Sequence, residues 1–505
     1  MHPIALPRRV VFAASLVLAL AVVGCAETDS ASGRDAGLPS SPGTSLPNVI
    51  TPPTVQPSSG EFDVPDPALD AGVTSFFFSY DESGSTASRD LALFALAEGR
   101  RPDPSLGRPF EFLNAERFDG FGAEPLGPFR VSMAMLAGEG GIPLDVPVAG
   151  EVYALGVNVV GPDLSRDERP NVVLTVLLDV SRSMNTPYAL ETRRDVSSLL
   201  DVAKIGLDSM RDALKAGDVV NLVTFSTDAR VVFEGLDGEV GDYRATVAAI
   251  GTEGSTNLDA GLVLAYEVAN RTFDPEKANR VVLVTDAFLN TGRTDVEVIA
   301  GNVTRNGLEG IRLAGIGVGS DFNDRALDEL TDIGRGEYSS MITPSDAERI
   351  FTSGFTRFID PAVRDVRFRL TFPQALDQLL SSAEEISENA DEVQPTNFAY
   401  GSEQFFLELF SGPGDLDGST NLTLDVEYTD TDGEPRTGRM TRSVAELLAE
   451  DHEAIRAAVA VSTLARLIAG DLSCETVLAS PLYLNPIAND VYAVHRQAIG
   501  DLCAL

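Results

Sequence analysis

The chain lacks tryptophan altogether, and histidine and cysteine occur three times each in 505 residues. Lysine stands only at Lys204, Lys215 and Lys277. None of these lysines follows a glycine, so the GxxxxGK(S/T) phosphate loop is excluded, and nucleotide chemistry of that kind with it. The histidines are His2, His452 and His495. His452-Glu453 opens an HExxH pattern that Arg456 breaks, which removes the zinc-protease helix. Neither His452 nor His495 sits in a motif that would build a Ser-His-Asp triad. Positive charge is scarce as a whole, with 38 Lys and Arg against 76 Asp and Glu, for a net charge of −38. Such a chain repels nucleic acid and anionic lipid, and its surface favours solubility and cations. Beyond the N-terminus, no apolar run approaches the ~20 residues of a spanning helix. What remains, at 44% hydrophobic residues, is enough for sizeable cores in about three domains.

The N-terminus reads as an address. Arg8 and Arg9 precede an apolar run from Val10 to Val23 that is short for a membrane span and ends in Val22-Val23-Gly24-Cys25. This ending resembles the lipobox of bacterial lipoproteins. The resemblance implies a signal peptide over 1–24, cleavage before Cys25, and acyl chains, palmitate among them, on that cysteine. An ordinary signal peptide with a chance cysteine is the alternative. Two acyl chains anchor stably where one does not. Ala26 stands where enterobacterial sorting would place a retaining aspartate, which favours the outer membrane over the inner. Residues 25–74, dense in Ser, Pro and Gly, form a disordered linker that spaces the folded part from the bilayer.

Order begins near Phe76. Residues 75–169 read as a mixed α/β module: an aromatic strand, a helix with Leu91, Phe94 and Ala95 on one face, and the alternating strands "FRVSMAML" and "EVYALGVNVVGP". From 170 to 356 strands and helices alternate. "NVVLTVLLDV", "DVVNLVTFS", "NRVVLVTDAF" and "IRLAGIGVGS" are continuous apolar runs, the signature of strands buried on both faces. "ARVVFEG" is an edge strand. Helices lie between them, among them "DVEVIAGNVTRNG" and one carrying Leu200, Ala203, Leu207, Met210 and Leu214 on a single stripe up to Gly217. The fold class is α/β, a doubly wound, mostly parallel sheet. Antiparallel β patterns fill 357–440, including a hairpin at Asp432-Gly433 whose Asp430 and Asp432 fit a turn better than a calcium loop. A helical region fills 441–505. Together with the N-terminal module, the strands after 357 build a β-rich body beside the central domain. Cys474 and Cys503 form an even pair in an exported chain, which suggests a disulfide; two separate buried thiols are the alternative.

In doubly wound sheets ligands bind outside the carboxyl ends of the strands, and there the polar residues gather. Asp179, Ser181 and Ser183 end the first strand as D-x-S-x-S, Thr256 lies in "GSTN", and Asp286 ends "VVLVT". Two carboxylates and three hydroxyls, with no imidazole or thiolate, select hard cations: Mg²⁺, Mn²⁺ or Ca²⁺. Taken singly, each piece has a plainer reading as a helix cap or turn acceptor.

The three motifs in this order resemble the metal-ion-dependent adhesion site (MIDAS) of von Willebrand factor type A (VWA) domains, over about Pro170 to Phe355. A wider match, from "FFSYDESGSTASRDL" through "PFEFLN", is similar to YfbK-like bacterial lipoproteins. The resemblance implies that Ser181, Ser183 and Thr256 touch the metal, while Asp179 and Asp286 act mostly through water. Two positions depart from the pattern: Arg182 replaces a frequent glycine and would steer an acidic partner, and Ala287 replaces the glycine of TDG. The expectation is a lipid-anchored, non-enzymatic protein of the bacterial envelope that docks an exposed acidic residue of a protein or peptide onto a bound divalent cation. It would meet the membrane through the anchor only, and bind neither nucleic acid nor nucleotide. A metal-dependent hydrolase and a metal-free structural component of an envelope complex stand as alternatives.

Overall fold

The computed structural model describes residues 72–505 except 81–84, 119–121, 139–140, 188–195, 239–241, 288–309, 335, 359–360, 431 and 450–451. The lipobox, Cys25, nearly all of the linker and the helix expected in "DVEVIAGNVTRNG" lie outside the described residues.

The central sheet consists of β1 (Val172–Asp179), β2 (Val219–Phe225), β3 (Ala229–Asp237), β4 (Ala278–Thr285), β5 (Ile311–Val318) and β6 (Tyr338–Met341). Their order in space is β6-β5-β4-β1-β2-β3. All neighbours are parallel except β3, which runs antiparallel along the edge. The apolar runs explain the layering, because successive side chains face opposite sides. Leu174, Val176, Leu178, Val282 and Val284 face α1 (Leu199–Ala213) and α4 (Pro344–Phe351), while Leu177, Val281 and Leu283 face α2 (Leu258–Arg271) and α3 (Asp324–Gly334). Helix α1 carries the expected stripe but stops at Ala213, before Gly217. Leu214 turns to extended backbone and Gly217, at φ +85°, shapes the turn into β2.

Two antiparallel sheets form a sandwich beside this domain. One holds strands Val73–Ser79, Pro361–Pro373, Glu385–Ser387, Thr396–Ala399, Asn421–Thr429 and Pro435–Ser443. The other holds Glu124–Leu126, Phe129–Ala137, Glu151–Val160, Asp377–Ser381 and Glu403–Gly412. Each sheet joins strands from before the central domain to strands after it. Val73–Ser79 pairs with Pro361–Pro373, and Glu151–Val160 runs along the whole of Glu403–Gly412. Phenylalanines fill the space between the sheets. Phe78 lies 5.3 Å from Phe368 and 4.8 Å from Phe406, centroid to centroid, and Phe372 lies 4.9 Å from Phe410. Edge-to-face and offset contacts of this kind add to the burial of large apolar rings.

The outer face of the second sheet is covered by helices. Ala134, Leu136, Phe405 and Leu407 pack against Ile455, Val459 and Leu464 of His452–Ala469, and against Phe112 and Leu113 of Pro109–Asn114. Cys474 and Cys503 are joined by a disulfide that ties Cys474–Ala479 to the final helix, Asp490–Ala504. No described helix is long and apolar enough to cross a membrane. Asp430 accepts the amides of Asp432 and Glu434 at 2.9 Å, and Gly433 at φ +82° completes the hairpin turn.

One acid stands apart in this body. Glu408 is fully buried in the strand Glu403–Gly412, accepting from Ser381 Oγ at 2.7 Å and Gln378 Nε2 at 3.1 Å. Burial pushes its carboxyl up to about 8 against the weaker pull of those two bonds. A folded-state value above the unfolded one favours the native state below the unfolded value and withdraws that help as pH rises. The native protein is therefore expected to lose stability from about pH 4.5 to pH 8 at this residue, by on the order of 3–5 kcal/mol. Glu408→Gln should flatten that part of the curve and be more stable than the parent at pH 8 in urea unfolding. A parent and variant with parallel pH profiles would exclude a neutral Glu408.

Candidate metal site

The first strand of the central sheet has neighbours on both sides that belong to later strands, so chain order reverses at β1 and a crevice opens at its carboxyl end. Asp179 is the last residue of β1 and fully buried. Its Oδ1 accepts the Ser181 amide at 2.8 Å, and its Oδ2 accepts Thr285 Oγ1 at 2.6 Å. Both carboxylate oxygens are thus held by neutral donors. Burial pushes Asp179 up to about 6; the Thr285 hydroxyl and the Ser181 amide oppose that rise, and nearby Asp286 adds to it. The pairing of β1 with β4, which aligns Leu178 with Val284, brings the Asp286 loop beside it.

Ser181 and Ser183 point their hydroxyls at each other, Oγ to Oγ 2.9 Å. Ser181 begins a short 3₁₀ turn, Arg182–Asn185, without capping it through its side chain. The cap of α2 is Asn257, which accepts the Ala260 amide at 3.3 Å, and not Thr256. The plainer reading of these two hydroxyls as helix caps therefore does not describe them. Thr256 is fully buried in a loop stitched to the Asp179 loop and to the end of β2. The Glu253 amide donates to Val180 O at 2.6 Å, the Asn257 amide to Ser226 O at 2.8 Å, and the Val180 amide to Phe225 O at 2.9 Å. Arg182 is exposed at the rim. Asp179, Ser181, Ser183, Thr256 and Asp286 thus lie on three loops at one end of one sheet, the first two tied by backbone bonds and the third joined through Thr285.

The sequence reading gave Thr285 no role. It donates to Asp179 and accepts the Ala287 amide at 2.8 Å, so one hydroxyl locks the carboxylate to the turn that carries Asp286. The only signal was its place in "VTD". Ala287 has φ +55°, in the left-handed region that a glycine adopts without the Cβ clash an alanine meets. Among the described residues no group of three His, Cys, Asp or Glu side chains is placed to hold a metal. The donor set at this rim differs in kind: two buried carboxylates and three hydroxyls. That chemistry fits a hard divalent cation, and an Asp179 already bonded at both oxygens fits an orienting role better than a direct one. His495 lies far from such chemistry. It is buried in the final helix, Nδ1 2.9 Å from Val491 O, and burial lowers its pKa.

Residues 174–288 match the family of the von Willebrand factor type A domain. Among curated proteins, the uncharacterised YfbK of Escherichia coli K12 is 29% identical over 223 residues, 44% of this chain and 37% of that protein. Inter-alpha-trypsin inhibitor heavy chain H2 of Sus scrofa is 24% identical over 220 residues, 42% of this chain and 22% of that protein. The match thus spans well under half the length of these relatives. Proximal thread matrix protein 1 of the mussel byssus, solved with a zinc-occupied MIDAS motif, is similar at 18% identity with a TM-score of 0.30, covering 38% of this chain and 47% of that one. Proteins with this domain are mostly adhesion or interaction proteins, and often hold a divalent metal at the MIDAS.

Ala287→Gly should relieve the left-handed strain at a cost in unfolded-chain entropy, for a net gain of about 0.5–1 kcal/mol. Urea unfolding in excess chelator measures it. A loss of stability would mean that packing of the Ala287 methyl outweighs the backbone term.

Proposed function

We propose that this chain, whose central region is a von Willebrand factor type A domain, is a lipid-anchored protein of the bacterial envelope that docks an acidic residue of a protein or peptide through a divalent cation at the β1 rim. The observation that carries the reading is the arrangement of Asp179, held at both oxygens by Ser181 N and Thr285 Oγ1, behind a facing pair of serine hydroxyls 2.9 Å apart. Ser181, Ser183 and Thr256 would hold Mg²⁺, Mn²⁺ or Ca²⁺ directly, and Asp179 and Asp286 would orient them and the waters. Bound there, the cation supplies an open coordination position that a partner carboxylate can fill. The protein's part is to keep the hydroxyls fixed, to bury the carboxylates that balance the charge, and to present Arg182 beside the opening. Neither His495, buried in another layer, nor any described histidine side chain lies at this rim to serve as a general base, so recognition fits the geometry better than hydrolysis.

Two experiments bear on separate halves of this reading. Asp179→Ala and Thr256→Ala are each expected to weaken cation binding about 10–100-fold in calorimetry on the full chain, and to lower capture of envelope partners in millimolar Mg²⁺. Their melting in metal-free buffer should stay near that of the parent, because the apolar strands carry the domain. Full partner capture by mutants that no longer bind metal would leave the site a relic in a metal-free component.

For the anchor, Cys25→Ser should abolish labelling by a palmitate analogue and release a soluble protein. Unchanged detergent partitioning of that variant would overturn the lipoprotein reading.

A further inference from the structure

A polar cavity of about 420 Å³ lies where the central domain meets the sandwich and its N-terminal helices. None of its lining residues belongs to the loops of the β1 rim: its walls come from α4, the segment Ser353–Arg357 that leaves the domain, the ends of the helices near Thr86 and Asn114, and the turn at Gly401. Four of its lining residues are arginines, Arg89, Arg117, Arg349 and Arg357. In a chain with two acids for every base, that concentration runs against composition.

The acids around the cavity are already engaged. Asp90 pairs with Arg89 at 2.9 Å and accepts Ser340 Oγ at 2.9 Å. Asp346 caps α4 through the Thr343 amide and pairs with Arg349 at 3.3 Å. Glu403 pairs with Arg117 at 2.6 Å and accepts Asn158 Nδ2 at 2.8 Å. Arg357 is the exception. Its hydrogen bond is a long one, Nη2 to Gly401 O at 3.4 Å, and Arg117 Nη2 donates to the same oxygen at 3.2 Å. Two guanidinium groups thus converge on one neutral carbonyl. Burial disfavours the charge on Arg357; Glu337 and Glu403 attract it, and Arg117 and Arg349 repel it. A half-buried guanidinium has five donors in a plane, and here most have no protein acceptor. The rest of the wall adds neutral hydroxyls from Thr86, Ser353 and Thr356.

Arg89, Arg117 and Arg349 are each paired with an acid, so the uncompensated charge here is that of half-buried Arg357, which is costly to hold unless something anionic enters. Planar donors match the paired oxygens of carboxylate or phosphate, and the volume exceeds that of a single such group while lying within the range of small-molecule sites. We propose that this cavity binds a small soluble ligand carrying two or more oxyanionic groups, received by Arg357 and Arg117 at the Gly401 turn and by Arg349 on α4. Because its walls belong to both the central domain and its support, such a ligand also braces one against the other.

The test uses the full chain in resin-treated, metal-free buffer, since chelators are themselves polycarboxylates. Citrate and pyrophosphate are titrated at constant ionic strength, read by calorimetry and by melting temperature. At least one of them should bind and raise the melting temperature above the chloride control; which one does so separates a polycarboxylate ligand from a phosphorylated one. Arg357→Gln should weaken that binding at least tenfold, and Arg271→Gln, on an exposed helix end, should leave it unchanged. Without ligand, Arg357→Gln should melt at or above the parent, because it removes a charge that burial disfavours. A lower melting temperature would make Arg357 a structural group and overturn the proposal. So would binding that Arg357→Gln retains, absence of binding to both probes, or binding of a poly-glutamate peptide where citrate and pyrophosphate fail.

Discussion

The buried ion pair between Arg169 and Asp218 sits where the central domain is inserted into the sandwich, and the architecture depends on that junction. The sandwich cannot close unless the chain leaves the strand Glu151–Val160, builds a whole domain, and returns in register at Pro361. Arg169, at the entry, is fully buried and donates to Asp218 Oδ1 at 3.0 Å and to Ala213 O at 2.8 Å. Asp218 also accepts the amides of Val172 at 3.1 Å and Lys215 at 2.7 Å. Burial opposes its charge, but the Arg169 guanidinium and these amides hold its carboxyl below the usual range. Arg169 stacks over Phe355, at the exit, 5.2 Å from the ring centroid. One side chain therefore clasps the way in to the way out. Such a pair is costly to break, because either partner alone is a buried charge.

The opposite end of the same sheet is organised by the contrary rule. There the loops are held by neutral hydrogen bonds, both aspartates are buried, and among the described residues no guanidinium lies within ion-pair distance of Asp179. Ala287 adds backbone strain at the same place. These polar groups cost desolvation, and the apolar layers on both sheet faces supply the stability that tolerates them.

Charge is sorted in the same spirit across the molecule. The outer face of the first sandwich sheet carries Arg367–Glu427 and the pairs of Asp425 with Arg369 and Arg439, over the ring of Phe77. Arginine is the cation that can do this, since its plane stacks and its fork pairs. Within the Arg357 cavity, Arg89, Arg117 and Arg349 follow the same habit and pair with acids, while among the described residues Arg357 has only the carbonyl of Gly401.

Local pattern alone settled a good deal. Continuous apolar runs marked β1, β2, β4 and β5 because a strand covered on both faces has no polar positions to alternate. That Asp179, Ser181, Ser183, Thr256 and Asp286 share one rim was legible because strand ends in a doubly wound sheet lie side by side, so separate motifs can be placed together without coordinates. The role of Thr285 was not legible, since a threonine inside a β-branched run looks like any other strand residue until its partner across the sheet is known. Nor was the sandwich's interleaving fully so: the sequence placed β segments on both sides of the central domain, but only tertiary structure fixed which strand pairs with which, because register is decided by facing side chains from distant segments. The same holds for Arg357, whose meaning lies in the arginines that come near it from residues 117 and 349. A sequence fixes what each segment buries; it takes the closed fold to decide which charges are left facing one another.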